Sequence, residues 1–263
     1  MRLTRALSRR GVKLLFQLVL PLTAGWAMAL PAQGQTVSVA VAANFSAPAK
    51  IIAAQFAKDS GHEAQLSFGA TGKFKAQISH GAPFEVFLSA DSATPEALEA
   101  QGWAVPGTRF TYAMGQLVLW SADSRLVDEQ GAVLRQPERF AHLALANPRL
   151  APYGAAAEEV LRRLSLLEPW RPRFVQGENI AQTHQFVATG NAEMGLIALS
   201  QVMTQGRIAS GSAWVVPGDL HAPIRQDAVL LVKGAANPAA RAWLDYLQTP
   251  AARGVITAHG YQF

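Results

Sequence analysis

Four short stretches carry the groups whose chemistry is easiest to name: Ala43-Asn44, Gly69-Ala70-Thr71-Gly72, Ala151-Pro152-Tyr153-Gly154 and Gly177-Glu178-Asn179-Ile180. Each follows a segment of strand character and precedes one with helical periodicity. The first turn of a helix leaves N–H groups without intrahelical acceptors and carries the positive end of the helix dipole, so it attracts anions. Several such turns converging on one cleft can hold a small oxyanion without lysine or arginine. Taken singly, each is an ordinary capping sequence, because Asn, Thr and Ser begin helices widely. The signal lies in the set of four.

Enzyme chemistry finds less support. Gly69-Ala70-Thr71-Gly72-Lys73 looks like part of a phosphate-binding loop, but Ser67 stands where its first glycine belongs and Phe74 where a magnesium-binding hydroxyl belongs. There is no G-x-S-x-G elbow and no H-E-x-x-H. The histidines 62, 80, 142, 184, 221 and 259 lack metal-ligand spacing. His184 falls in a predicted helix beside one of the four stretches, from which it could approach a cleft or simply pack locally. Asp91 follows a strand end with no partner in view, which favours a cap over a catalytic acid. Asn44-Phe45-Ser46 matches a glycosylation sequon at a junction expected to be buried.

The elements that must position these groups alternate. Strands are predicted at 37–42, 64–68, 84–89, 110–120, 143–146, 174–176, 194–199, 213–216 and 227–232. Helices are predicted between them, one running from 153 to 167 and the last two at 238–247 and 250–258. Asn44 is expected to cap the first helix, whose Ile51, Ile52 and Phe56 share an apolar face and which Gly61 closes. This order argues an α/β protein whose sheets are mostly parallel and flanked by helices. The strand at 110–120, with Gly115 at its middle, reads as a crossover between two lobes, and 223–231 as the return. The expected division is lobe I, residues 36–116 and 226–263, and lobe II, residues 117–225, with a ligand cleft between them.

Composition sets the limits. Of 263 residues, 50% are hydrophobic and 16% charged, which excludes a disordered chain. Cysteine is absent, removing disulfides, thiolate metal sites and cysteine nucleophiles. The net charge of +5 belongs to the N-terminus: Arg2, Arg5, Arg9, Arg10 and Lys13 precede any acid, and beyond residue 29 there remain 18 basic and 18 acidic residues. A nucleic-acid partner is therefore not expected. The basic stretch, the apolar run Leu14–Leu22 and Ala27-Met28-Ala29 have the layout of a secretory leader, residues 1–29, with cleavage expected within 29–34. The run contains Gln17 and Pro21 and is too short for a membrane anchor.

The same junctions carry a family likeness. Val41-Ala42-Ala43-Asn44-Phe45, Ser67-Phe68-Gly69-Ala70-Thr71-Gly72, Gly81–Asp91, Phe110–Gly115, Asn147–Gly154 and Glu178-Asn179-Ile180 occur in order. This ordered set resembles the periplasmic molybdate-binding proteins of ABC transporters, which have the type II periplasmic-binding fold, from about Val37 to Phe263. The resemblance implies a monomer that takes molybdate or tungstate in the periplasm and hands it to a membrane permease. It implies no catalysis, no cofactor, and no metal other than that within the oxyanion itself.

Carried over by position, the likeness assigns the oxyanion to Asn44 and Thr71 on one lobe, and to Tyr153 and the backbone of Ile180 on the other. Two positions depart from relatives. Where some members have a hydroxyl, Ala43 offers only its backbone; where another branch has a tyrosine, this chain has Ala198, and Tyr153 is expected to substitute. Molybdate and tungstate are dianions that need donors only, whereas phosphate keeps a proton that needs an acceptor. Sulfate differs by size. The alternatives are a binding protein of the same fold for another anion, such as sulfate or an organic acid, and a secreted hydrolase.

Overall fold

The computed structural model of the protein describes residues 34–263; the expected leader, residues 1–29, lies outside them. In chain order the elements are β1 (Thr36–Ala42), α1 (Ser46–Ser60), β2 (Glu63–Gly69), α2 (Thr71–Ser79), β3 (Val86–Leu88), α3 (Ala93–Ala100), β4 (Phe110–Gly115), β5 (Leu117–Ser121) and β6 (Leu143–Ala146). They continue with α4 (Pro152–Arg163), α5 (Leu167–Trp170), β7 (Phe174–Gly177), α6 (Ile180–Ala188), β8 (Met194–Ala198), β9 (Met203–Thr204), β10 (Arg207–Ile208), β11 (Ser212–Val215), β12 (Ile224–Leu230), α7 (Pro238–Leu247) and α8 (Pro250–Ala258).

Two five-stranded sheets form the two lobes. One has the order β2-β1-β3-β12-β4 and the other β11-β5-β8-β6-β7. Each is mixed. The β-α-β units supply the parallel pairs β1–β2, β1–β3, β6–β7 and β6–β8. The segments that run between the lobes supply the antiparallel pairs β12–β3, β12–β4, β11–β5 and β5–β8.

The period-two side-chain alternation of a strand explains the layers. On β1, Val37, Val39 and Val41 pack with Phe45, Ile52, Phe56 and Trp243. Its neighbour Ala40 points the other way, to Phe74, Ile78, Phe87 and Leu98. In the second lobe Leu117 and Leu119 of β5 join Tyr153, Leu161 and Trp170 on one face. Val118 and Trp120 join Val187 and Ile197 on the other. A central strand covered on both faces needs apolar residues throughout, which is why β1 and β8 read as continuous apolar runs.

The structure corrects several expectations. The segment 110–120 is two strands in different sheets, joined through Gln116 alone, and β12 starts at Ile224, opposite Gly115. The predicted helix 153–167 stops at Arg163, where Ser165 takes a left-handed φ of 61°, and resumes as α5. Ile51 is 42% exposed although Ile52 and Phe56 are fully buried. Adjacent helical residues stand roughly 100° apart, so only one of the two isoleucines fits the stripe. Asn44 does not cap α1: a 3₁₀ turn, Ala43–Phe45, precedes that helix, and no side chain caps either one.

Candidate functional site

All four junctions meet at one small cavity of about 10 Å³, roughly the room of one water molecule. Its lining comes from the end of β1 and the Ala43–Phe45 turn, from the β2–α2 and β7–α6 junctions, from the start of α4, and from Ala90. Ala43, Asn44, Thr71, Tyr153 and Ile180 all face it; Ala198 is not among the lining residues and is fully buried. Among the described residues, no lysine, arginine, histidine, aspartate or glutamate lines it. A wider pocket of about 440 Å³ lies beside it and shares Thr71, Ala90, Ala151 and Pro152. That pocket carries both signs of charge, Lys75, Arg149 and Arg225 against Asp91 and Glu159, so its groups do not converge on one kind of ligand.

Three α-helices point their first turns at the small cavity. In α6, Asn179 Oδ1 accepts from the N–H groups of Ala181 (2.9 Å) and Gln182 (3.0 Å). That cap leaves the Ile180 N–H, the first of the helix, for the cavity. In α2, Thr71 is the first residue, and its Oγ1 accepts from the Ala90 N–H at 3.1 Å. One of its two lone pairs is engaged inside the protein, and its proton is left to donate. In α4, Pro152 occupies the first turn, where a missing N–H costs nothing, and Tyr153 follows it.

Tyr153 is arranged in the same way as Thr71. Its hydroxyl accepts from Gln226 Nε2 at 3.1 Å, which leaves the phenolic proton to donate. Burial, and next the neighbouring Tyr261, hold its pKa well above the ordinary tyrosine value, so it stays a protonated donor at neutral pH. A Cβ on Gly115 would lie 2.2 Å from the Tyr153 hydroxyl oxygen and 2.5 Å from Gln226 Nε2. The glycine at the crossover is therefore required by this hydrogen bond.

Asn44 differs from the expectation drawn from its sequence. Its Nδ2 donates to Gln226 Oε1 (2.7 Å) and to the Tyr261 hydroxyl (2.9 Å), so both amide hydrogens are committed inside the protein. What it can offer the cavity as a donor is its backbone N–H, at the start of the 3₁₀ turn. Gln226 and Tyr261 are the residues that sequence reasoning missed. They stand 182 and 217 positions from Asn44, and no local spacing marks them.

His184 is not at the cavity. Its ring lies on Trp120, with centroids 5.1 Å apart, and both line a separate pocket near Ser210. Burial lowers its pKa below the ordinary histidine value. Asp91 caps α3, accepting from the Thr94 N–H at 2.8 Å.

The two lobes touch over the cavity. Gly72 N–H donates to Leu150 O at 2.9 Å, and Lys73 Nζ lies 2.5 Å from Glu178 Oε2. Two lobes, two connecting strands and a donor-rich cavity where they meet define a solute-binding protein of the periplasmic type.

Comparison with known proteins agrees. Residues 37–262 match the family model described as bacterial extracellular solute-binding protein, and the chain belongs to that family. It is 59% identical over 247 residues to a molybdate-binding protein ModA of Azotobacter vinelandii, covering 94% of this chain and 97% of the relative. It is 51% identical over 234 residues to the ModA of Rhodobacter capsulatus, covering 89% and 91%. The solved periplasmic molybdate-binding protein of Azotobacter vinelandii superposes with a TM-score of 0.83 at 41% identity, covering 86% of this chain and 99% of that one.

Proposed function

We propose that this protein captures molybdate outside the cytoplasmic membrane and delivers it to an ABC transporter permease. The observation that carries the reading is the donor set of the small cavity. Backbone N–H groups at helix starts and two hydroxyls with engaged lone pairs converge there, and no carboxylate lines it. A fully deprotonated tetrahedral dianion needs such donors and no acceptor. The names of the close relatives support the choice of molybdate.

Tungstate has the same charge and shape and is expected to bind as well. Phosphate carries a proton for which the lining has no carboxylate. Sulfate is smaller, and fixed donors cannot all close on it. Asn44 and Ala43 act here through their backbone, Thr71 and Tyr153 through their hydroxyls, and Ile180 through its N–H. The mature protein works as a monomer, exported by the leader at residues 1–29; N-terminal sequencing of the exported form tests that step.

Calorimetry of the mature protein against molybdate, tungstate, sulfate and phosphate tests the whole reading. Tight binding of the first two, weak sulfate and negligible phosphate are expected. Preference for sulfate or for an organic acid would overturn it.

A further inference from the structure

We infer that Gln226 is a positioning residue for the ligand: it fixes the direction of the Tyr153 hydroxyl proton and thereby sets the site as a donor. The inference rests on the anion-binding reading above. Gln226 is fully buried on β12, the returning crossover strand, and the pairing of β12 with β4 shifts register between Gln226 and Asp227. A bulge of this kind re-aims a side chain. Here it leaves Gln226 turned to the hinge, while Asp227 faces Arg109 and Thr111.

The polarity of the network begins at a fixed acceptor, the backbone carbonyl of Asn44. Ser200 Oγ donates to it at 2.8 Å, and the Tyr261 hydroxyl lies within reach of it at 2.9 Å. With its proton directed there, the Tyr261 oxygen accepts from Asn44 Nδ2. Asn44 thereby presents its second amide hydrogen to Gln226 Oε1, and the Tyr112 hydroxyl lies 3.0 Å from that oxygen and from the Ser89 carbonyl alike. An oxygen engaged by these donors turns the Gln226 amide nitrogen toward Tyr153. The Tyr153 hydroxyl, its oxygen engaged by Gln226, is left with a proton to donate, and Tyr153 lines the cavity. One carboxamide thus ties Asn44 of the first lobe to Tyr153 of the second, next to the glycine that leaves room for the contact.

The consequence is a test of proton direction. In Gln226→Glu the introduced carboxylate still accepts from Asn44, and Tyr112 keeps both this oxygen and the Ser89 carbonyl as acceptors, so its partners stay satisfied. It also accepts from Tyr153, whose proton turns away from the cavity. Binding of the anion should weaken roughly 10- to 100-fold. Simple charge repulsion would weaken it too, so the substitution is repeated in a Tyr153→Phe background, which has no hydroxyl to redirect. There Gln226→Glu should cost less than about threefold, since the two changes act through one hydrogen bond.

Equal losses in both backgrounds, or unchanged binding in the first, would overturn the proposal. The same cycle with the uncharged Gln226→Met decides the matter if the glutamate variant does not fold. The probe is whichever of molybdate, tungstate, sulfate and phosphate the wild type binds. A wrong choice of ligand is then visible in the wild-type panel, and a wrong role for Gln226 in the cycle.

Discussion

The amide of Gly72 donates to the carbonyl of Leu150 across the cleft, joining the first turn of α2 to the loop before α4. A Cβ at Gly72 would stand 3.1 Å from Leu150 Cα and 3.2 Å from its carbonyl oxygen, both backbone atoms with little freedom to yield. A side chain at position 72 would therefore press on the loop before α4 and push the two loops apart by a few tenths of an ångström.

Gly72→Ala should weaken anion binding by about tenfold, roughly the 1.4 kcal/mol expected of a hindered closure. Alanine is the better helix former, so α2 itself should not suffer. The melting temperature without anion should hold while the shift on adding molybdate shrinks. A variant that binds as tightly as wild type would show that the two loops separate in the bound form.

The hydroxyls of Thr71 and Tyr153 each have one lone pair engaged within the protein and one proton left over. Thr71→Ala and Tyr153→Phe should each weaken molybdate binding by about 1–3 kcal/mol, roughly 5- to 150-fold, measured by calorimetry. Ile180→Val leaves the N–H in place and should be nearly silent. Asn44→Ala removes a carboxamide bonded to Gln226 and Tyr261, and the orphaned buried groups cost about 1–3 kcal/mol each. Its first effect should be a lower melting temperature.

Much of this arrangement was legible in the chain, because it is local. A helix start is written in a few consecutive residues, and four such starts name the cavity lining apart from Ala42 and Ala90. The terminal helices 238–247 and 250–258 were bounded by Pro and a polar cap, and both were read to the residue. What could not be read is long-range. Nothing near Asn44 tells that its amide serves Gln226 and Tyr261 rather than capping α1. The left-handed Ser165 that breaks the helix after Arg163 is a non-glycine residue at a glycine-like angle, so composition hides it.

Lys73 and Glu178 span the mouth of the cleft, 44% and 65% exposed. Exposed pairs contribute about 0–1 kcal/mol and fade with salt. Lys73→Ala should thus reduce anion affinity by no more than about fivefold at low salt. The difference from wild type should vanish in concentrated salt. A large loss that persists in salt would mean that the lysine touches the anion and that the site is not held by neutral donors.

The pH behaviour separates the site from the rest of the protein. The cavity lining holds no group that titrates near neutrality, and the Tyr153 pKa is pushed well above its usual value by burial. Affinity should therefore stay flat from about pH 6 to 9, where molybdate keeps its charge and the reference tyrosine is still protonated. Stability should not be flat. Burial against Trp120 lowers the His184 pKa, so the unfolded chain takes up the proton first as pH falls. The stabilisation from a neutral His184 is complete above the unfolded value of about 6.5 and is lost as pH drops through the lower folded value. Melting curves at pH 7.5 and 5.5 should show a drop that His184→Gln diminishes, while molybdate affinity in that variant keeps the wild-type pH profile. A steep loss of affinity between pH 8 and 6 that disappears in His184→Gln would place the histidine at the anion, against its position on Trp120.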